Sequence, residues 1–292
     1  MQRRQSDGAR KYTLTMILSF GPSTETAPGS ALALGSLSVV ALLFYVLAAL
    51  PAERFSSGLR LALLIAWLAH GAAIVIDIAG VGAPLSGARF GFAPALSVTL
   101  WLVLAVYGLE SRFVPMHGVR RRLAGLGCAV VILAWLFPGQ LHPQGGSPWA
   151  PLHWLLGIAS YGLFGVAVLH AALMNRAERQ LRRSPVAAPA GGIPLLRLER
   201  LTFRFVAAGF AVLSAAIVLG AWFASPWRWD HKSVFSILGW VVFAALLAGR
   251  RAFGWRGPQA TRWLYVGTAL LLLAYVGSRF VFEVLLHRAP SA

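Results

Sequence analysis

Eight stretches of the chain are apolar almost without interruption: 31–50, 59–80, 92–110, 122–138, 152–173, 203–225, 233–249 and 262–286. A bilayer core of about 30 Å takes roughly 20 apolar residues in helical form, so each run predicts a membrane-spanning helix. Lipid offers backbone groups no hydrogen-bond partners, and barrel strands would instead alternate over about ten residues. The pattern therefore predicts an all-α fold, a polytopic transmembrane helical bundle of about eight spans.

Composition agrees, with 58% hydrophobic and only 12% charged residues. The net charge of +17 would suit a nucleic-acid partner if the basic residues formed one patch, but they gather in alternate loops. The loop 110–122 carries Arg112, Arg120, Arg121 and Arg122; 174–202 carries Arg176, Arg179, Arg182, Arg183, Arg197 and Arg200; 250–262 carries Arg250, Arg251, Arg256 and Arg262. By the positive-inside rule these loops are cytoplasmic. The segment 139–151 has no Lys or Arg, while 226–232 and the tail beyond 286 have few, so these face outward. Counting back puts both termini on the outer side, with the lipid bilayer as partner and no nucleic acid.

Arg3, Arg4, Arg10 and Lys11 contradict that orientation, which makes Met16 an alternative start. Residues 1–30 read as an N-terminal extension and 31–292 as one membrane domain. The length of the first run, with no small-residue cleavage site after it, predicts a retained anchor rather than a signal peptide. The stretch 184–194, S-P-V-A-A-P-A-G-G-I-P, reads as a cytoplasmic linker between two halves of the bundle. The flanking R-A-E-R-Q-L-R-R and L-L-R-L-E-R read as helix extensions.

Cys128 is the single cysteine, so the sequence has no C-x-x-C thiol pair and no C-x-x-C-H attachment site for a c-type haem. Seven histidines remain as candidates for chemistry. His70 lies midway along the second run, where an ionisable group is costly; it reads either as a neutral imidazole bonded to a neighbouring helix or as an axial iron ligand. His153 begins the fifth run beside Trp149 and Trp154, as a polar helix end or a ligand facing an outer cavity. His142 is a weaker loop candidate, and His117, His170 and His287 read as solvated ends.

The segment Trp222–Lys232, W-F-A-S-P-W-R-W-D-H-K, crowds Trp222, Trp227 and Trp229 with Arg228, Asp230, His231 and Lys232 between two apolar runs. Tryptophans alone would make an interfacial belt. The adjoining charges suit a flat, anionic aromatic ligand: tryptophans for the face of a haem, Arg228 and Lys232 for its propionates, and His153, His70 or His231 for its iron. Arg279, one turn before Glu283, reads as a further propionate partner or a snorkelling interfacial pair.

W-x-W-D-x-K at Trp227–Lys232, followed by Trp240 and Arg250, resembles the tryptophan-rich motif of the cytochrome c assembly family, membrane proteins that handle haem for cytochrome c maturation. H-W-L-L-G-I-A-S-Y from His153, P-L-L-R-L-E-R-L-T-F-R at 194–204, and G-W-R-G at 254–257 before L-L-A-Y-V-G-S-R-F are similar to the short bacterial inner-membrane branch of that family. The resemblance covers roughly 60–290. It implies a multi-pass protein of the bacterial cytoplasmic membrane with an outward-facing site for non-covalent, b-type haem, and cytochrome c maturation proteins as partners. His153 matches the family's external histidine before the motif, and His70 its histidine of an early span. Where the family's fullest motif is W-D-P-K-E, this chain has His231 and Ser233, and Ser278 and Arg279 stand where a later external histidine is expected. No bond-making residue is expected, hence no enzyme. The alternatives are a non-catalytic regulator or scaffold related to tetrapyrrole synthesis, and an intramembrane enzyme or transporter. The last has little support: G-I-A-S-Y-G around Ser160 lacks a protease signature, and only Asp77 approaches a buried acid.

Overall fold

The computed structural model describes residues 28–51, 56–78, 87–112, 118–143, 149–183, 195–223 and 229–281. Within the described residues each predicted run falls on a helix: α1 (Pro28–Ala49), α2 (Ser56–Ile78), α3 (Phe92–Glu110), α4 (Val119–Leu136), α5 (Ala150–Arg183), α6 (Leu195–Phe223), α7 (His231–Ala252) and α8 (Gly257–Leu272). The last continues through a π-helical turn, Leu273–Gly277, into Ser278–Phe280. The charged flanks of the linker are helical as expected, extending α5 to Arg183 and starting α6 at Leu195. Met16, Arg54, His117, the 184–194 linker, Trp227, Arg228, Glu283 and His287 lie outside the described residues.

Seven of the described helices are long and apolar enough to cross a membrane. The other is α4, whose first turn carries Arg120, Arg121 and Arg122. Two of those arginines reach the end of α1: Arg120 donates to the carbonyls of Ala48 and Leu50, and Arg121 donates from Nε to Ala49 at 3.2 Å. They thus supply partners for carbonyls that a helix C-terminus leaves unmet. Helix α4 still traverses the bundle. Short antiparallel strands β1 (Gly87–Phe90) and β2 (Gln140–Pro143) pair in front of α3 and behind α4, which places the start of one at the same end as the finish of the other. That ribbon is a small addition to the all-α bundle the sequence predicts. It is anchored by Arg89, buried at 3.6 Å from Asp77 of α2.

Two apolar cores share α5 and, through Leu198 in the first and Val206 in the second, α6 as well. The first joins Tyr45 of α1, Ala66 of α2, Leu104 of α3 and Leu123 of α4 with Val166 and Met174 of α5. The second joins Phe164 and Ala171 of α5 with Val206 of α6, Phe243 of α7 and Leu264 of α8. Phe164 and Phe243 stack with ring centroids 3.9 Å apart, and Gly209 and Gly267 leave room for them. In the first half, Trp67 and Trp101 stack at 4.7 Å, and each indole N–H donates to the other's carbonyl. The G-W-R-G turn between α7 and α8 needs its glycines, because Gly254 and Gly257 have φ of 65° and 58°.

Candidate functional site

A cavity of about 440 Å³ opens where the starts of α3, α5 and α7 meet the ends of α2, α6 and α8. This is the end of the bundle away from the arginine-bearing turns Arg120–Arg122, Arg182–Arg183 and Arg250–Arg251. Its volume falls within the roughly 300–1,000 Å³ typical of small-molecule and cofactor sites. His153, Asp230, Lys232 and Arg279, all weighed from the sequence, line it together.

His153 is held by α6. Its Nδ1 lies 2.9 Å from the carbonyl oxygen of Ala216, which can only accept, so Nδ1 carries the proton. In the neutral ring the lone pair is then on Nε2, the arrangement by which a backbone carbonyl orients a metal-ligating histidine. The ring fits because residue 220 is glycine: a β-carbon there would lie 2.8 Å from His153 Cε1. Asp230 caps α7, accepting from the Ser233 backbone N–H and hydroxyl, both at 2.8 Å. Partial burial works to raise its carboxyl, but the two Ser233 bonds, with Lys232 and His231 close by, hold it below the usual carboxylate value. Arg279 is only 6% exposed, and its guanidinium carbon lies 5.8 Å from the Tyr275 ring centroid. Lys232 and Arg279 together give the wall a cationic character.

The other candidates lie elsewhere. His70 is 2% exposed and faces a separate cavity of about 40 Å³. Its Nδ1 is bonded to the Tyr45 hydroxyl at 3.0 Å and its Nε2 to Ser97 Oγ at 2.7 Å, so both ring nitrogens are engaged within the protein. Trp222 and Trp229, expected against a ligand face, stand 82% and 73% exposed. His231, the first residue of α7, is also exposed. The expectation of a solvated end fails for His170, which is fully buried, with Nε2 2.8 Å from Glu110 and its ring stacked on Phe205. Among the described residues no three His, Cys, Asp or Glu side chains converge as a metal centre.

The sequence model of the family described as Cytochrome C assembly protein matches residues 29–286, a span that contains every cavity residue. The chain belongs to the cytochrome c assembly protein family. Similar members include a 28.8 kDa protein of Azospirillum brasilense, 31% identical over 73% of this chain and 85% of its own. The cytochrome c biogenesis protein CcsA of Synechococcus sp. (strain CC9902) is 30% identical over 52% of this chain and 61% of its own. Inner membrane protein YpjD of Escherichia coli K12 is 30% identical over 48% of this chain and 54% of its own, so the match spans little more than half of these two relatives.

Sequence reasoning passed over three residues that shape the cavity of this cytochrome c assembly protein: Tyr161, Gly220 and Tyr275. Tyr161 donates its hydroxyl to the Leu271 carbonyl, one turn below Tyr275. A helical spacing signal existed for two of them, since His153, Gly157 and Tyr161 share one face of α5, and Tyr275 and Arg279 one face of α8.

Proposed function

We propose that this protein binds haem non-covalently, as b-type haem, in the cavity at the outward end of the bundle, and handles it for cytochrome c maturation in the bacterial inner membrane. The observation that carries this reading is the convergence of His153, Lys232 and Arg279 on one cavity. His153, oriented by its bond to the Ala216 carbonyl, would hold the haem iron through Nε2. Lys232 and Arg279 neutralise the propionates, and Trp154, Ile158 and Ile217 give the macrocycle apolar contact. Bound haem would supply the cargo for cytochrome assembly; the protein's own part is to hold and orient it, with no bond-making step, so the protein is not an enzyme.

The arginine-rich ends of α4, α5 and α7 favour the cytoplasmic side, which supports an outward-facing cavity at the opposite end of the bundle. The names carried by the relatives, a cytochrome c biogenesis protein and an inner membrane protein, agree with that location and role. Partners among the cytochrome c maturation proteins follow from the family. A reduced-minus-oxidised spectrum with pyridine haemochrome quantitation on detergent-purified protein tests the reading. Near-stoichiometric b-type haem, lost in His153→Ala, is expected; absence of haem after reconstitution would overturn it. The exposure of Trp222 and Trp229 favours a second reading, a regulator or scaffold that keeps the fold without haem transfer, and that negative result is its signature.

A further inference from the structure

Three glycines stand within α5, at 157, 162 and 165. Glycine weakens a helix relative to alanine, because its backbone has more freedom to lose. Two of the three have a packing reason. A β-carbon at Gly162 would lie 2.7 Å from Leu102 of α3, and one at Gly165 would lie 2.9 Å from Val103, so the missing side chains let α3 and α5 close on each other. Gly157 has no such reason: a β-carbon there would meet no atom within 4 Å. It lines the chamber one turn deeper along α5 than His153, on the same face. The other described glycine of the wall, Gly220, has the His153 ring packed against it. At Gly157, by contrast, the wall is bare backbone beside open room. The Ser160 hydroxyl donates to the Gly157 carbonyl at 2.7 Å, which engages that oxygen within the helix and makes the turn compatible with an apolar ligand surface. At about 440 Å³ the chamber lies toward the lower end of the range for cofactor sites, so a side chain at this position takes its room from the ligand.

We infer that Gly157 is the size-selecting position of this cavity: its bare turn is the wall along which a broad, planar macrocycle lies, and a large side chain there shuts such a ligand out. The inference rests on the haem reading above and deepens it by assigning ligand breadth, as distinct from iron binding, to one residue. His153 is aimed by the Ala216 carbonyl and acts on the metal. Gly157 makes no bond and acts by clearance alone, so its substitution is felt alike by a macrocycle with iron and by one without.

Two probes separate these roles in the full chain in detergent: ferric haem, read by absorption, and iron-free protoporphyrin IX, read by fluorescence. Gly157→Leu is expected to weaken both about tenfold or more, with Gly157→Ala intermediate and the melting temperature of each variant unchanged or raised. His153→Ala should weaken haem strongly and protoporphyrin much less. Gly125→Leu, on an exposed face of α4 where a β-carbon also meets nothing, should leave both affinities at the wild-type value. Should the leucine variant fail to fold, the smaller loss in Gly157→Ala, again shared by both probes, carries the comparison. Wild-type affinities in the Gly157 variants, or a loss confined to haem, would overturn the clearance role and leave the haem reading standing. Uptake of neither probe by the wild type would overturn both.

Discussion

The imidazole of His153 lies against Gly220 so closely that a β-carbon on the glycine would come within 2.8 Å of Cε1 and 3.1 Å of Nδ1. Residue 220 must be small for His153 to keep its bond to Ala216. Gly220→Ala is therefore expected to displace the ring although alanine is the better helix former. Haem affinity should fall about tenfold, equivalent to ~1.4 kcal/mol, with the melting temperature unchanged or raised. Haem titration beside a thermal melt in detergent checks this; unaltered affinity would remove the Gly220 contact from the site.

His70→Ala should do the reverse of His153→Ala. It leaves the hydroxyls of Tyr45 and Ser97 buried without their shared partner, at about 1–3 kcal/mol for each. Thermal stability should drop while the haem-to-protein ratio stays at the wild-type level. A large loss of haem with unchanged stability would make His70 a ligand after all.

Arg89 and Asp77 tie the β-ribbon to α2 in a buried setting. Arg89→Leu leaves an uncompensated carboxylate, and the cost expected is about 3–5 kcal/mol. Replacing both residues by leucine should recover part of that loss. A double-mutant cycle on unfolding in a mixed-micelle system reads the coupling; strict additivity would show that the pair is not coupled.

Asp230 sets a pH dependence. Its carboxyl is held below the usual value in the folded protein, so its contribution is fully present above about pH 4 and declines as pH falls through the lowered value. Asp230→Asn, which keeps a capping side chain, should flatten the acid limb of the stability profile, and Asp230→Ala should cost about 1 kcal/mol at neutral pH. An acid limb unchanged in the asparagine variant would show that the carboxylate is not its source.

The helices were legible because lipid imposes one strong rule, and among the described residues every helix but α4 satisfies it. Their ends were less so: α5 and α6 run on through charged residues at their cytoplasmic ends, where hydropathy gives no boundary. Within the candidate site, His153, Asp230 and Lys232 could be read because each interrupts an apolar pattern with a group that needs a reason. Tyr275 and Gly220 could not, since an aromatic or a glycine in a span is ordinary; their role comes from what lies across from them. His170 misled for the opposite reason. Near a helix end it looks solvated, and only the packing of α3 and α6 shows it enclosed with Glu110 and Phe205.

The sharing of α5 between two cores puts the cavity at a seam. Its walls come from both sides, with α2 and α3 on one and α6, α7 and α8 on the other. The bond from His153 to Ala216 joins α5 to α6 on one side of that seam, so the aim of the imidazole is set without the α2–α3 wall. A substitution in that opposite wall changes the room left for a ligand and not how the histidine is pointed at it.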